Sequence, residues 1–153
     1  MVKPIPDGYP QVIPYLIVDG AAEAIDFYTS VLGASQRGDT MKAPNGKVGH
    51  AELSIGDSVI MLADESPDWG AAGPRTVGGT PVTIHVYLED VDDVFAKALA
   101  AGATEVRAVT DEFYGDRSGQ FDDPWGHRWN VATHVEDVPP EEMAERAKAA
   151  MAG

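Results

Sequence analysis

The sequence has no cysteine, which rules out a disulfide framework and any thiolate metal site together. Basic residues are scarce. Eleven Lys and Arg stand against 25 Asp and Glu, a formal net charge of −14. A surface of that sign repels phosphate backbones, so nucleic acid is not an expected partner. Long apolar runs are missing as well, with no stretch of about eighteen apolar residues that could span a membrane. The amino terminus, Met1 to Gly8, lacks the apolar centre of a secretory signal. The expectation is a protein without membrane attachment, made and kept in the cytoplasm. Nucleotide-binding and hydrolase signatures are also missing: no Gly-x-Gly-x-x-Gly opens a helix, and there is no phosphate loop and no Gly-x-Ser-x-Gly turn. Val77-Gly78-Gly79-Thr80 is glycine-rich but runs into Pro81 and a strand, so it offers no helix N-terminus to an anion.

What is present is a chain of 153 residues, long enough for one domain with a sizeable core. Residues 1 to 11 read as an extended, proline-rich lead-in. Val12 to Val18 is a strand of β-branched and aromatic residues. Asp19 or Gly20 caps a helix from about Ala21 to Leu32, whose buried stripe is Ala21, Ala24, Ile25, Tyr28 and Leu32. Gly33 suits the left-handed position after it. Strands follow at Ser35 to Met41, Lys47 to Ile55 and Ser58 to Ala63, giving the order β-α-β-β-β. The same order then recurs: a strand Pro81 to Glu89, a helix capped by Asp90 with Val91, Val94, Phe95 and Ala98 inward, and strands Thr104 to Val109, Arg117 to Asp122 and His127 to His134. Gly33 and Gly102 are 102 − 33 = 69 apart, Gly56 and Gly126 are 126 − 56 = 70 apart, and Asp19 and Glu89 are 89 − 19 = 70 apart. Agreement of three offsets with one element order predicts a tandem repeat. Module 1 covers about 10–64, a Gly/Pro-rich linker 65–80, module 2 about 81–135 and a C-terminal helix about 139–151. Trp69 in the linker is either part of a plain connection or the cover of a pocket, its own or a second subunit's.

The strand alternation defines a polar face. Val82, Ile84, Val86 and Leu88 are apolar and pack under helices, while Thr83, His85 and Tyr87 point the other way. His50, Glu52 and Ser54 share a face opposite Ala51, Leu53 and Ile55, and Arg128 and Asn130 lie opposite Trp129 and Val131. At the offset of 70, Gln120 is the counterpart of His50 and Asp122 of Glu52. A sheet face collecting imidazoles, carboxylates, amides and phenols reads as a pocket wall.

Three motifs carry a family likeness. They are the first helix ending in Ala-Ile-Asp-Phe-Tyr-x-x-Val-Leu-Gly, the turn Tyr114-Gly115-Asp116-Arg117, and the final Asp123-Pro124-Trp125-Gly126-His127-Arg128-Trp129 strand entry. Together they resemble the vicinal oxygen chelate superfamily of glyoxalases, bleomycin-resistance proteins and extradiol dioxygenases, most closely its PhnB-like branch. The resemblance implies an α+β fold, with two tandem β-α-β-β-β modules curling into a half-closed mixed β-barrel, helices outside and the ligand on the concave side. It also implies a homodimer. Superfamily enzymes hold a divalent ion with four side chains, and transfer by strand position gives Thr83 and Asn130, with Ile13 and Ile60 (or, after a one-residue slip, Met61) in the first module. Alkyl groups and weak neutral donors do not suit such an ion, so the usual metal site is expected to be absent. A displaced divalent metal on His50, Glu52 and His85 is the alternative.

The expected function is binding of a small organic molecule, with Tyr15, His50, Glu52, Thr83, His85, Tyr87, Tyr114, Arg117, Gln120 and Asn130 as candidate contacts. Asp116 is placed to hold Arg117, and Tyr114 and Arg117 are expected at the pocket mouth. The alternative is a lyase or isomerase using Glu52 or His85 as general base, with Arg117 stabilising an oxyanion.

Overall fold

The computed structural model describes residues 1–152. Two compact units divide the chain, Met1–Thr80 and the residues from Pro81 onward. Each runs strand, helix, then an antiparallel meander whose last strand returns parallel to the first.

In the first unit, β1 (Tyr15–Val18) leads to α1 (Ala21–Leu32), two short strands β2 (Ser35–Gln36) and β3 (Met41–Lys42), and the hairpin β4 (Val48–Ile55) and β5 (Ser58–Asp64). The sheet order is β1-β5-β4-β2, with β3 also on β4. The strand expected from Val12 starts only at Tyr15. Pro14 has no N–H for the ladder and contributes only its carbonyl, to Met61 N at 3.0 Å, and Val12 upstream is exposed. The strand expected over Ser35 to Met41 is broken in two, because Gly38 adopts φ +64 and turns the chain. Helix α1 packs on β1, β2, β4 and β5. Phe27 and Val31 join its buried face, while Ile25 is only half-buried. Gly20 takes the N-cap position, one of the two expected, and having no side chain it leaves the first amides of the helix to another partner. Asp64, at the end of β5, accepts Gly20 N–H and Ala21 N–H at 3.0 and 2.8 Å on one oxygen and Val48 N–H at 2.8 Å on the other. A capping carboxylate from a neighbouring strand thus ties helix entry to the sheet.

The stretch after β5 is structured. A 3₁₀ turn, Pro67–Trp69, and a short helix α2 (Pro74–Val77) are braced by Glu65, which accepts from Gly73 N at 3.2 Å and Thr76 Oγ1 at 2.9 Å. Trp69 is 89% exposed.

In the second unit, β6 (Thr83–Tyr87), α3 (Val91–Ala100), β7 (Thr104–Asp111), β8 (Asp116–Asp122) and β9 (Arg128–His134) form a sheet of order β6-β9-β8-β7, followed by α4 (Pro140–Met151). Asp90 caps α3 as the sequence predicts, its side chain accepting Asp93 N–H at 3.1 Å. Helix α3 lies on β7, β8 and β9 over Phe121, Trp129 and Val131, all fully buried. Gly119 is the contact that permits this: a Cβ there would come within 3.0 Å of Phe95 and 2.9 Å of Val109. Val82 falls before the strand and is exposed, against expectation, whereas Ile84 and Val86 are half-buried.

The turn into β9 is built on one buried carboxylate. Asp123 accepts Trp125 N–H and His127 N–H, each at 3.0 Å, on one oxygen, and the Trp129 indole N–H at 2.9 Å on the other. At the far end of the sheet, Gly115 O accepts from Val135 N and Glu136 N, and Arg146 of α4 pairs with Glu136 and donates to Phe113 O at 3.1 Å. The C-terminal segment is thereby fastened to the turn before β8. Among the described residues, no helix is long and apolar enough to cross a membrane.

Candidate functional site

The helix-free face of the first sheet is organised by a cross-strand row: Tyr15 on β1 faces Met61 on β5, which faces Glu52 on β4. His50 lies two residues before Glu52, on the same face. Its Nε2 is 2.8 Å from Glu52 Oε2, and its Nδ1 is 2.8 Å from Tyr15 Oη. Tyr9 Oη–H donates to Glu52 Oε1 at 2.6 Å, and the Arg37 guanidinium, 3.8 Å from Glu52, lies over the Tyr9 ring at 4.8 Å. The hydrogen bond from His50, then that from Tyr9, hold the Glu52 carboxyl below its ordinary range. A carboxylate accepts only, so His50 must carry its proton on Nε2, which leaves Nδ1 to accept the Tyr15 hydroxyl. Burial, and then the negative charge of Glu52, push the Tyr15 phenol up.

Above this row the lead-in folds back. Pro4, Ile5, Pro6, Tyr9, Pro10, Gln11 and Ile13 wall a cavity of about 560 Å³ whose floor is Glu52 and Met61. The lining is apolar apart from Glu52, the Tyr9 hydroxyl and Gln11. A volume of several hundred Å³ suits a small organic molecule.

The helix-free face of the second sheet carries a different network. Asn130 on β9 faces His85 on β6 and Gln120 on β8, and Gln120 faces Arg107 on β7. Arg107 forms an ion pair with Glu112 and donates to Asn130 Oδ1 at 3.0 Å and Ser118 Oγ at 3.2 Å. A guanidinium has no acceptor, so the Asn130 oxygen points at Arg107 and its NH₂ donates to His85 Nδ1, 2.8 Å away. His85 therefore holds its proton on Nε2. Nearby, buried Asp116 accepts from Tyr87 Oη at 2.8 Å and His134 Nδ1 at 2.8 Å, while His134 Nε2 reaches Asp137 at 2.7 Å. The bond to Asp116 raises the Tyr87 phenol, with burial, the Asp116 charge and nearby Tyr114 adding to it. His134, bonded to Asp116 and then Asp137, is raised as well.

The sequence-predicted residues therefore separate into two groups. Tyr15, His50 and Glu52 come together in the first unit, and His85, Tyr87, Gln120 and Asn130 lie on one face in the second, with Thr83 in the next row beside Arg128 and Asp122. Arg117 is not on that face. It sits one residue out of phase with Asp116 and Ser118, on the helix side, and pairs with Asp92 of α3 at 2.9 Å and Asp111 at 3.1 Å. Asp116 does not hold it. Ile60 is likewise on the helix side, 3% exposed, and Met61 takes the open face. By cross-strand row Gln120 corresponds to Glu52 rather than His50, and Asp122, bonded to Arg128 at 2.9 Å, corresponds to neither.

Pattern reasoning missed Tyr9 and Arg37 in the first unit and Arg107, Glu112, Ser118 and His134 in the second; Met61 entered only as a one-residue slip from Ile60, and Asp116 only as a partner for Arg117. Two register shifts in β7 flank Arg107, so its side could not be read from alternation. The resemblance transfers a metal to Thr83 and Asn130 in the second unit and to Ile13 and Ile60, or Met61, in the first. Asn130 Oδ1 is taken by Arg107 and its NH₂ faces His85. In the first unit Ile60 is buried on the helix side while Ile13 and Met61 line the cavity, and an alkyl group or a thioether is a poor donor for a hard or borderline divalent ion. Among the described residues, no three His, Asp or Glu side chains are grouped to hold a metal.

Comparison with known proteins agrees with this architecture. An uncharacterized protein of Mycobacterium bovis is 43% identical over 137 residues, covering 88% of this chain and 90% of its own. A crystal structure of a Pseudomonas aeruginosa protein superposes with a TM-score of 0.67 at 23% identity, over 83% of this chain and 99% of that one. A PhnB protein from Bacillus cereus gives 0.65 at 18% identity, over 81% and 99%. The sequence profile of the glyoxalase/bleomycin resistance protein/dioxygenase superfamily matches residues 10–131, and the chain belongs to that superfamily.

Proposed function

We propose that the protein binds a small amphipathic molecule of cationic character in the cavity over Glu52 and Met61, without the superfamily's usual metal. The observation that carries this is a single ionised carboxylate on the floor of an otherwise mainly apolar cavity of about 560 Å³. Glu52 has about four lone-pair sites. The two hydrogen bonds from Tyr9 and His50 leave acceptor capacity for a ligand N–H. The net charge of −14 favours approach of a cation from any side. The metal-free reading is supported by the poor donor set at the positions to which the resemblance transfers the metal. Glu52 is a weak candidate for general base, because its bound donors favour the carboxylate over the acid. The Tyr-Gly-Asp-Arg and Asp-Pro-x-Gly-His-x-Trp motifs support placement in the PhnB-like branch. The exposed Trp69, Val77 and Val82 support a homodimer, and the lack of cysteine supports a cytoplasmic setting.

Benzylamine, benzamide and benzoate share one ring and differ in charge. Titrated into labelled protein and followed by NMR, benzylamine is expected to bind best and benzoate least, with shifts at Ile13, Glu52 and Met61. Glu52→Gln should erase the order. Equal binding of all three would reject the carboxylate's role, and shifts elsewhere would reject the cavity.

A further inference from the structure

We propose that residues 4–10 form a strap over the cavity of the first unit, and that the strap opens by passing Glu52 Oε1 from Tyr9 to Arg37. Its role as a gate rests on the cavity being the ligand's place, the reading given above. The exchange of partners stands on geometry alone.

The strap supplies Pro4, Ile5, Pro6, Tyr9 and Pro10 to the cavity wall, while the floor, Glu52 and Met61, belongs to the sheet. A gate needs a stiff body, a hinge and a catch. The prolines stiffen the body, as does the turn in which Tyr9 N–H donates to Pro6 O at 3.3 Å. Among the described residues, none makes a backbone hydrogen bond with Gln11, Val12 or Ile13, and Val12 is exposed. That short run is the hinge. Beyond it the chain is anchored again where Pro14 O accepts Met61 N–H.

The catch is the Glu52 carboxylate. Its Oε2 is taken by His50, and its Oε1 accepts the Tyr9 hydroxyl at 2.6 Å. The same Oε1 lies 3.8 Å from Arg37 Nε, too far for a hydrogen bond. Arg37 Nε is buried, and among the described residues it has no hydrogen-bond partner. A buried donor left unsatisfied disfavours the state that contains it, here the closed strap. Arg37 is also fixed where it can use that donor. Its backbone N–H donates to Glu52 O at 2.8 Å and its Nη1 to Ser54 Oγ at 3.3 Å, both on β4. Tyr9 thus reaches Glu52 from the movable strap, whereas Arg37 reaches it from the sheet. Once Tyr9 leaves, a shift of about 1 Å brings Nε to hydrogen-bond distance. The guanidinium is a rigid planar fork, so Nη2, which donates to Gly8 O at 3.0 Å, and the cation over the Tyr9 ring move with Nε. The ties of the strap are therefore coupled, and Glu52 keeps a donor on each oxygen in either state.

The test follows two resonances in the isotope-labelled full chain with no ligand added: the Arg37 Nε–H, assigned by its loss in Arg37→Lys, and the Met61 methyl. Tyr9→Ala removes hydroxyl and ring together, and Tyr9→Phe removes the hydroxyl alone. In Tyr9→Ala the Nε–H proton should move downfield, as a donor newly bonded to a carboxylate does, with Tyr9→Phe between it and the unsubstituted chain. Adding Glu52→Gln should reverse most of that shift. A soluble nitroxide should relax the Met61 methyl faster in Tyr9→Ala, with the exposed Met41 as reference. Amide protection in β4 and β5 checks the fold, and if Tyr9→Ala loses it the Tyr9→Phe comparison decides. An Nε–H unmoved by loss of the hydroxyl, or moved equally when Glu52→Gln is added, overturns the handover. A Met61 methyl no more accessible in the variants overturns the gate. Failure of the cationic ligand assignment shows instead as equal binding of benzylamine, benzamide and benzoate, with these ligand-free signals unaffected.

Discussion

Replacing Tyr9 by Phe removes one oxygen from the wall of the cavity, and the structure says what that should do to the lead-in. The segment is tied to the sheet at three points: Tyr9 Oη to Glu52 Oε1 at 2.6 Å, Arg37 Nη2 to Gly8 O at 3.0 Å, and the guanidinium over the Tyr9 ring at 4.8 Å. Phe keeps the ring contact and leaves Gly8 untouched. Only the hydroxyl bond is lost. A hydrogen bond to a charged group contributes about 1.5–3 kcal/mol, and each ~1.4 kcal/mol is tenfold in an equilibrium. Opening of the lead-in should therefore become about ten- to a hundredfold more frequent. The prolines at 4, 6 and 10 restrict the opened chain and keep the opposing entropy small. Amide hydrogen exchange at Ile5, Gly8, Tyr9 and Gln11 measures this directly, with β4 and β5 as the internal reference. Exchange that accelerates equally in the strands would mean that the substitution unfolds the unit instead. Unchanged exchange in the lead-in would show that the Tyr9–Glu52 bond does not hold it, and the cavity would lose its wall.

Three further outcomes follow from other residues. Asn130→Asp replaces the NH₂ that faces His85 with an acceptor, so the His85 proton should move to Nδ1 and expose a lone pair at Nε2, visible in long-range ¹H–¹⁵N spectra. A carboxylate behind a histidine changes metal affinity by about 10–100-fold, so weak Zn²⁺ binding at His85 should rise, and an unmoved proton would refute the assigned Asn130 orientation. His134 is raised by Asp116 and Asp137. The stability it contributes is thus complete below its unfolded value and lost as pH rises through its folded one. Protection of Val135 to Val138 should therefore fall as pH rises above histidine's ordinary range, and His134→Gln should flatten that slope. Asp123→Asn turns an NH₂ toward the Trp129 indole N–H, setting donor against donor in a buried site, and a buried donor left unsatisfied costs about 1–3 kcal/mol. Chemical denaturation should report a loss of that size, and a loss no greater than that of a surface substitution would refute the cap.

Much of the fold was legible because its signals are local. Helix stripes at α1 and α3, the Asp90 cap and the glycine at α1's end depend on residues within a few positions of each other. What was not legible depends on distant partners. Nothing near Gly20 announces that Asp64 will cap α1. Nothing in Met1 to Gln11 announces that Tyr9 will return to Glu52, 43 residues away. His50 and Glu52 were recognisable as a pair because they are two apart on one strand, whereas Tyr15 joined them only through pairing of β1 with β5.

The site assignments that moved all moved for one reason, the register. Matching cross-strand rows gives His85 against Tyr15 (85 − 15 = 70), Asn130 against Met61 (130 − 61 = 69) and Gln120 against Glu52 (120 − 52 = 68). A constant offset of 70 is therefore right at the first strand of each unit, one residue long at the last and two residues long between them. Side chains alternate with a period of two, so the two kinds of error have different consequences. The two-residue error pairs Gln120 with His50 instead of Glu52 and leaves both on the open face, where the face was still read correctly. The one-residue error exchanges Met61 for Ile60 and so puts a core residue in the place of a cavity floor. Arg117 shows the same parity within a single strand: one step from Ser118, it belongs to the helix side with Asp92. With Met61 on the floor beside Glu52, a thioether stands next to a carboxylate under an apolar wall, so that single residue of register carries the amphipathic character of the cavity with it.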